Sequence, residues 1–143
     1  MWWWIRGNIM KPGRIKIQLN PKVCQGCRVC ESICSLSHFG VINPKGTGIK
    51  INETQTLGNF KQIVCQQCSD MPCASVCPEN IIKRDCYSGA VTIDEGCTGC
   101  GACKEACPIN AIQIMQNKLA VKCDLCGGLP KCVEVCPRQA LSW

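Results

Sequence analysis

Cysteine dominates this sequence, because sixteen of its seventeen cysteines fall into four short runs of four. Every run ends in a Cys-x3-Cys pair, and the gap before that pair has two, four, two and five residues in turn. Such a repeat indicates four related sites that share one kind of ligand. In chain order, run 1 to run 4 contain Cys24, Cys27, Cys30 and Cys34; Cys65, Cys68, Cys73 and Cys77; Cys97, Cys100, Cys103 and Cys107; and Cys123, Cys126, Cys132 and Cys136.

The spacing of run 3 matches the bacterial ferredoxin pattern C-x2-C-x2-C-x3-C-P in full. Three cysteines in a tight loop can reach three irons of one [4Fe-4S] cube, and small residues such as Gly99 and Gly101 let the backbone wrap closely. Amide N–H groups of such a loop point at the sulfurs and stabilise their negative charge. The proline after the fourth cysteine ends the helical turn that carries it. Cysteinyl [4Fe-4S] clusters are therefore the predicted cofactors.

Run 1 differs from the other three because Ser35 stands where they have proline. Without proline, the turn that starts after Cys30 need not stop at Cys34. The sequence predicts a helix from about residue 31 to about residue 38, closed by Gly40 in the left-handed conformation.

Zinc and disulfides are the alternative uses of so many cysteines. The start of the chain, MWWWIRGNIMKPGRIKI, has neither the basic region nor the cleavage site of a signal peptide, so we expect a cytoplasmic protein, in which clustered cysteines usually bind metal. No stretch approaches the roughly 18–20 apolar residues of a membrane span. Four all-cysteine zinc sites would use the same thiolates, but zinc ribbons pair two C-x2-C knuckles across a longer gap. The x2, x2, x3 spacing favours clusters.

The formal net charge of +6 does not indicate a nucleic-acid-binding protein. Each oxidised [4Fe-4S] cluster carries roughly −2 with its thiolates, so four of them would bring the loaded protein to about −2. The sequence also lacks a P-loop, a G-x-G-x-x-G loop and a Ser/His/Asp set, and it holds one histidine. We therefore expect a chain that is not itself catalytic.

Short strands are predicted between the runs. Residues 89–96 (GAVTIDEG) alternate in polarity, and residues 111–121 (AIQIMQNKLAV) read as two strands that turn near Asn117. Residues 13–22 and 59–64 lead into runs 1 and 2 in the same way. The repeated unit is strand, cluster loop and helical turn, which predicts an α+β fold of short β-hairpins and short helices around the clusters.

Residues 14–140 resemble the four-cluster iron–sulfur electron-transfer subunits of molybdenum and tungsten oxidoreductases. The stretch from Cys24 to Ile51 is more narrowly similar to the small subunit of the tungsten-containing aldehyde oxidoreductase type. The resemblance implies a ferredoxin-like fold in which two pseudo-symmetric two-cluster units are nested in one polyferredoxin domain, 1–143. Residues 60–110 would form the central unit, and residues 14–59 with 111–143 the second. The residues that carry the narrower likeness are Arg28, Glu31, Ser35, His38, Gly40, Asn43 and Pro44.

Ligand pairing is open from spacing alone, since runs 2 and 3 are nineteen residues apart and runs 3 and 4 fifteen, and either gap suits a two-cluster unit. The resemblance implies that runs 2 and 3 exchange their fourth cysteines, and that runs 1 and 4 do the same. Tandem pairing, run 1 with run 2 and run 3 with run 4, is the alternative. The implied ligand sets are Cys24, Cys27, Cys30 and Cys136; Cys65, Cys68, Cys73 and Cys107; Cys97, Cys100, Cys103 and Cys77; and Cys123, Cys126, Cys132 and Cys34.

The resemblance also implies a role and partners. The chain would carry electrons through four [4Fe-4S] clusters from a large tungsten- or molybdenum-pterin catalytic subunit to soluble ferredoxin or another carrier. Two alternatives stay open: an electron-transfer subunit of a hydrogenase, formate or carbon-monoxide dehydrogenase complex, and a free-standing polyferredoxin.

The sequence also supports expectations for several residues other than the sixteen cysteines of the runs. Cys86 is expected to be a small buried or loop thiol rather than a ligand. His38 is expected to cap or pack a helix, or else to approach a cluster sulfur or a subunit contact. Arg28 and Lys122 flank ligands and would either favour reduced clusters or remain solvated. Tryptophans 2–4 would contact a partner, cover a cluster or belong to a disordered terminus.

Metal analysis tests the cluster count. Four [4Fe-4S] clusters predict about sixteen iron and about sixteen acid-labile sulfide per chain of anaerobically prepared protein. A value near twelve would mean that one run is vacant. A colourless protein with about four zinc and no sulfide would instead indicate four tetrahedral zinc sites.

Overall fold

The computed structural model describes residues 16–143, so the expectation for tryptophans 2–4 lies outside the described residues. The elements are short strands and short helices, which confirms the α+β class. In chain order they are β1 (Gln18–Leu19), α1 (Val29–Phe39), β2 (Ile49–Glu53), β3 (Phe60–Val64), α2 (Pro72–Ser75), β4 (Ile82–Arg84), β5 (Val91–Ile93), α3 (Ala102–Ala106), β6 (Gln113–Ile114), β7 (Ala120–Val121), a 3₁₀ turn (Leu125–Gly128), α4 (Lys131–Val135) and β8 (Leu141–Ser142).

The strands form four separate two-stranded antiparallel sheets. Three of the sheets are local hairpins, β2–β3, β4–β5 and β6–β7. The fourth pairs β1 with β8, so that Leu19 lies opposite Leu141 and the two ends of the described chain meet. The strands expected within residues 59–64, 89–96 and 111–121 are present, and the turn of the last hairpin includes Asn117 as predicted.

The apolar interior is divided into two clusters rather than one core. The larger includes Ile17 next to β1, Ile49 and Ile51 of β2, Val64 of β3 and Leu125, each of them almost fully buried. The smaller is built from the β4–β5 hairpin, its neighbour Ile112 and two cysteines. Helix α1 packs against α4, and α2 packs against α3. Because few bulky side chains are available, each of these two apolar groups fills only the space between cysteine loops.

Helix α1 confirms the prediction made from the missing proline. It spans eleven residues, whereas the other three helices span four or five. It begins two residues earlier than expected and ends at Gly40, whose φ is 72° and whose N–H donates to the Leu36 carbonyl at 2.9 Å. Glycine is favoured in this left-handed conformation, because the Cβ atom of another residue would lie too close to its own backbone.

A buried carboxylate fixes α1 to the neighbouring strand. Glu31 is 6% exposed, and its Oε1 accepts a hydrogen bond from the Ile51 N–H of β2 at 2.7 Å. The same oxygen lies 3.2 Å from a guanidinium nitrogen of Arg28, the residue before the helix. A charge-assisted bond of this length in a buried position orients the helix firmly.

The segment from Gly40 to Gly48 returns the chain from α1 to β2. The Ser35 hydroxyl accepts from the Asn43 N–H at 3.0 Å, and the Gln113 side-chain amide donates to the carbonyl of buried Thr47 at 2.8 Å. Gly48 then passes so close to run 4 that an added Cβ would lie 2.6 Å from the Cys123 nitrogen. This loop is therefore held at several points along its length.

None of the helices within residues 16–143 combines the length and the apolar character that a membrane span requires.

Candidate metal centres

Within residues 16–143, four small cavities are each lined by four cysteines. In every cavity three cysteines come from one run and the fourth comes from another. Cavity I is lined by Cys24, Cys27, Cys30 and Cys136; cavity II by Cys65, Cys68, Cys73 and Cys107; cavity III by Cys97, Cys100, Cys103 and Cys77; and cavity IV by Cys123, Cys126, Cys132 and Cys34.

A shared backbone turn shapes the loop of each run. The second residue between the first two cysteines has a positive φ in all four runs, at 68° for Gly26, 52° for Gln67, 73° for Gly99 and 57° for Leu125. This turn aims the N–H of Gln67 at the Cys65 sulfur and that of Leu125 at the Cys123 sulfur, both at 3.4 Å. Successive N–H groups in such turns form a concave anion site. Two of the four positions adopt it without glycine.

In three of the four runs the fourth sulfur also receives a backbone N–H. Ala111 donates to Cys107 and Ala140 donates to Cys136, each at 3.3 Å and each four residues after the cysteine. The intervening proline ends the helix and leaves that later N–H free to turn back to the sulfur. At Cys34 the donor is Gly48, fourteen residues later, again at 3.3 Å. Because α1 continues past Cys34, the hydrogen bond has to come from the far end of the following loop.

Six thiols of these cavities are poor acids on their own, because burial raises their pKa values. Burial raises the pKa of Cys30 to about 12 and that of Cys123 to about 12. Burial also raises the pKa of Cys132, and the neighbouring sulfurs of Cys123, Cys126 and Cys34 add to the rise. Thiolates crowded at such sites need a cation, and metal binding deprotonates a coordinating thiol outright.

Three properties of the cavities fit an iron–sulfur cluster. Each cavity has four converging thiols, largely apolar walls and, in most cases, N–H donors directed at the sulfurs. No disulfide joins any cysteine within residues 16–143. Cys86 lies at none of the cavities; it is exposed in the turn between β4 and β5, which agrees with the loop position expected for it.

His38 lies beside cavity IV and links α1 to run 4. Its Nδ1 donates to the Cys34 carbonyl at 2.8 Å, and its Nε2 donates to the Asp124 carboxylate at 3.0 Å. Both ring nitrogens face acceptors, which favours the imidazolium form. The hydrogen bond to Asp124 is the largest of the causes that raise the pKa of His38 to about 11. Burial acts to raise the pKa of Asp124, but hydrogen bonds from His38 and Cys126 outweigh it and lower that pKa. The bond to Asp124 agrees with the packing role expected for His38, while its approach to a cluster sulfur or a subunit contact stays a prediction.

The two cations beside the runs differ in their environment. The Arg28 side chain is 51% exposed and pairs with Glu31. Lys122 is buried at 7%, lines cavity II and donates to the carbonyl of Cys123 at 2.9 Å. The solvated state considered for both residues therefore holds for Arg28 and not for Lys122.

Two residues of these sites were absent from the sequence predictions. Gly48 supplies the N–H for Cys34, and a glycine directly before a strand is a known signal of close backbone approach. Gln67 links run 2 to run 4 through its side chain, which donates to the Cys123 carbonyl at 2.9 Å. No sequence signal marks Gln67, because glutamine between two ligands is usually exposed.

The fold and its cysteine groups can now be compared with known proteins. A family profile described as "4Fe-4S dicluster domain" matches residues 58–143, more than half of the chain. The chain belongs to this family. It is accordingly an iron–sulfur protein that binds 4Fe-4S clusters.

Known proteins with a similar sequence or structure point the same way. The polyferredoxin-like subunit of an aliphatic sulfonate oxidoreductase from Pyrococcus furiosus is 46% identical over 125 residues, covering 86% of this chain and 72% of that subunit. Electron transport protein HydN of Escherichia coli K12 is 34% identical, over 82% and 81% of the two chains. A chain of the active-site complex BamBC of benzoyl coenzyme A reductase has a TM-score of 0.51 and 26% identity, over 89% of this chain and 76% of that one. Two of these names denote parts of oxidoreductases, and the third denotes an electron transport protein.

The His38–Asp124 pair should make stability depend on pH. The pKa of His38 is higher in the folded state than its unfolded value of 6.5, so the protonated ring stabilises the fold in full below pH 6.5. This stabilisation is lost as the pH rises towards about 11. We expect His38→Gln to lower the Tm by about 5 °C near pH 6, from roughly 1.5 kcal/mol for a hydrogen bond between charged groups. The deficit should narrow steadily from pH 6.5 upward in anaerobic thermal melts of the loaded protein.

Asp124→Asn is the matched control for this prediction. It removes the carboxylate that raises the pKa of His38, so the additional His38→Gln substitution should then have little pH-dependent effect. A Tm difference between wild type and His38→Gln that stays constant from pH 6 to pH 9.5 would show that His38 has an ordinary pKa.

Proposed function

We propose that this chain is the electron-transfer subunit of a larger oxidoreductase and carries electrons through four [4Fe-4S] clusters. The observation that carries the proposal is the presence of four cavities, each lined by four cysteines. Each cavity supplies the number of thiolates that one cubane cluster needs. The proposed ligands of the four clusters are the sixteen cysteines that line cavities I, II, III and IV, four to each cluster.

A cluster in each cavity would supply one-electron chemistry, cycling without the making or breaking of a bond to substrate. The chain's own residues would set how easily each cavity accepts an electron. Backbone N–H groups at sulfurs, burial and nearby charge are the determinants available, and together they give clusters a range of roughly −700 to +450 mV. Catalysis would belong to the partner subunit.

The proposed architecture is two nested two-cluster units within one domain. The central unit, 60–110, would contain cavities II and III, which runs 2 and 3 share; α2 packs on α3 there. The second unit, 14–59 with 111–143, would contain cavities I and IV, supported by the pairing of β1 with β8 and of α1 with α4. The β6–β7 hairpin, which follows residue 110, also lines cavity III, so the two units interlock there.

The proposed partner is a large tungsten- or molybdenum-pterin catalytic subunit of the aldehyde oxidoreductase type, with ferredoxin or another soluble carrier as the electron acceptor in the cytoplasm. The likeness of residues 24–51 to the small subunits of such enzymes supports it. So does the similarity to a subunit of an aliphatic sulfonate oxidoreductase and to a chain from the active-site complex of a reductase. Aldehydes or related compounds are the proposed substrates of the partner.

Identification of the large subunit tests this partner directly. Anaerobic purification of the tagged chain from its native cells should recover a stoichiometric large subunit that contains tungsten or molybdenum. Recovery of a hydrogenase, formate or carbon-monoxide dehydrogenase subunit would replace the proposed partner with the alternative one. Recovery of the chain alone, with full cluster content, would favour a free-standing polyferredoxin.

Substitution of Cys34 tests the proposed exchange of fourth cysteines. Cys34→Ala should remove the cluster of cavity IV and leave about twelve iron per chain, because run 1 would keep its other three ligands for cavity I. The remaining EPR signals of dithionite-reduced protein should match those of Cys126→Ala. Cys86→Ala, at the exposed cysteine outside the cavities, is the control and should retain about sixteen iron. Signals that match Cys27→Ala instead would show that Cys34 binds with its own run.

A further inference from the structure

Lys122 is a buried cation that has no carboxylate partner among the described residues. It is 7% exposed, and its ammonium donates to the carbonyls of Val91 and Cys123. The two ion pairs within residues 16–143 both involve other residues. A buried ammonium is costly unless a negative charge offsets it, and carbonyl dipoles alone do so only in part. The negative charge has to come from something else near Lys122.

Lys122 contacts the surroundings of two different cavities. It lines cavity II, and it is bonded to the carbonyl of Cys123, a cysteine of cavity IV. Burial raises the pKa of Cys73 in cavity II and of Cys123 in cavity IV, and the charge of Lys122 opposes the rise in both. One ammonium therefore acts on sulfurs of two ligand groups.

Gln67 stabilises the contact between cavities II and IV at which Lys122 lies, which we call the junction. Its Oε1 accepts from the Val91 N–H at 2.7 Å, and its Nε2 donates to the Cys123 carbonyl at 2.9 Å. Gln67 and Lys122 thus bond to the same two residues, Val91 and Cys123, from the run 2 side and the run 4 side. Several fixed bonds keep the ammonium between cavities II and IV rather than in solvent.

Among residues 16–143, no buried lysine or arginine lines either of the other two cavities. Cavity III has no lysine or arginine in its lining. Cavity I is lined by Arg28 and Arg138, both exposed. Exposed charges are screened by water and salt, whereas a buried charge is screened much less. The electrostatic asymmetry separates the two cavities at the junction from the two beyond it.

We propose that Lys122 sets the reduction potentials of the clusters in cavities II and IV, raising both above the values they would have without its buried positive charge. The inference rests on the proposed function, because it requires those cavities to hold [4Fe-4S] clusters. Reduction adds one electron to the oxidised cluster, with no bond formed or broken and no proton taken up. The cluster with its thiolates becomes one unit more negative, and a fixed ammonium stabilises that state more than the oxidised one. Lys122 thereby favours the reduced state of the two clusters on either side of the contact between the nested units.

Neutral substitutions test the proposal in the full chain loaded with clusters. Lys122→Gln keeps a donor for the two carbonyls, Lys122→Met keeps the length of the stem, and Lys122→Arg keeps the charge. Lys83→Gln is the matched control, since Lys83 is exposed on β4 of the same region. Each protein would be titrated anaerobically with dithionite and mediators, and its EPR signals recorded. The signals of cavities II and IV are identified as those lost in Cys68→Ala and Cys126→Ala.

We expect the neutral substitutions to lower the reduction potentials of the clusters in cavities II and IV only. At a fixed potential, the ratio of reduced to oxidised cluster should fall about tenfold in cavities II and IV of Lys122→Gln and Lys122→Met. For one electron that ratio corresponds to a negative shift of about 59 mV. In cavities I and III of the neutral variants, the same ratio should change less than about twofold. In Lys122→Arg and Lys83→Gln it should change less than about twofold in all four cavities.

Three outcomes would overturn the proposal. Unchanged ratios in a fully loaded neutral variant would show that the charge has no effect on potential. Equal shifts in all four cavities would indicate a general structural change. Loss of iron from both neutral variants, with full loading of Lys122→Arg, would give Lys122 a role in assembly only. Failure of the proposed function is separate, because the wild-type protein would then lack the [4Fe-4S] signal of cavity II or of cavity IV.

Discussion

Convergence of four sulfurs on one small cavity is the constraint on which the rest of this structure depends. Thiolates placed so close together repel one another and are buried as well, as the raised pKa of Cys132 shows. A metal cluster turns that repulsion into attraction, and its binding energy becomes folding energy. The short helices and two-residue strands would be marginal alone, since neither their length nor their apolar area suffices.

Sharing of cysteines between runs gives the fold its long-range order. In each cavity one sulfur arrives from a run distant in sequence, so every cavity joins two parts of the chain. Cavities I and IV bring the first run to the last, and β1 pairs with β8 beside them. A chain with few aromatic residues thereby obtains the tertiary links that a larger protein would obtain from its apolar core.

Sequence reasoning reached the features that local chemistry determines. The cysteine runs, the hairpin at residues 111–121 and the long helix ended by Gly40 follow from spacing, alternation and the presence or absence of proline. It could not decide which run supplies the fourth sulfur to a cavity, because both pairings satisfy the same local spacing. Sequence reasoning also could not predict the burial of Lys122 or the hydrogen bond from Gly48 to Cys34, since each depends on how distant segments meet.

The fourteen-residue separation between Cys34 and its hydrogen-bond donor has a consequence for how such chains can change in length. The segment from Gly40 to Gly48 is pinned at both ends, so an insertion there would withdraw an N–H from a ligand sulfur. The tip of the β2–β3 hairpin is not constrained in this way, because Leu57 is 93% exposed and Gly58 has open space around it. Relatives that acquire extra modules should therefore carry them at the hairpin tip, while the return loop after α1 keeps its length.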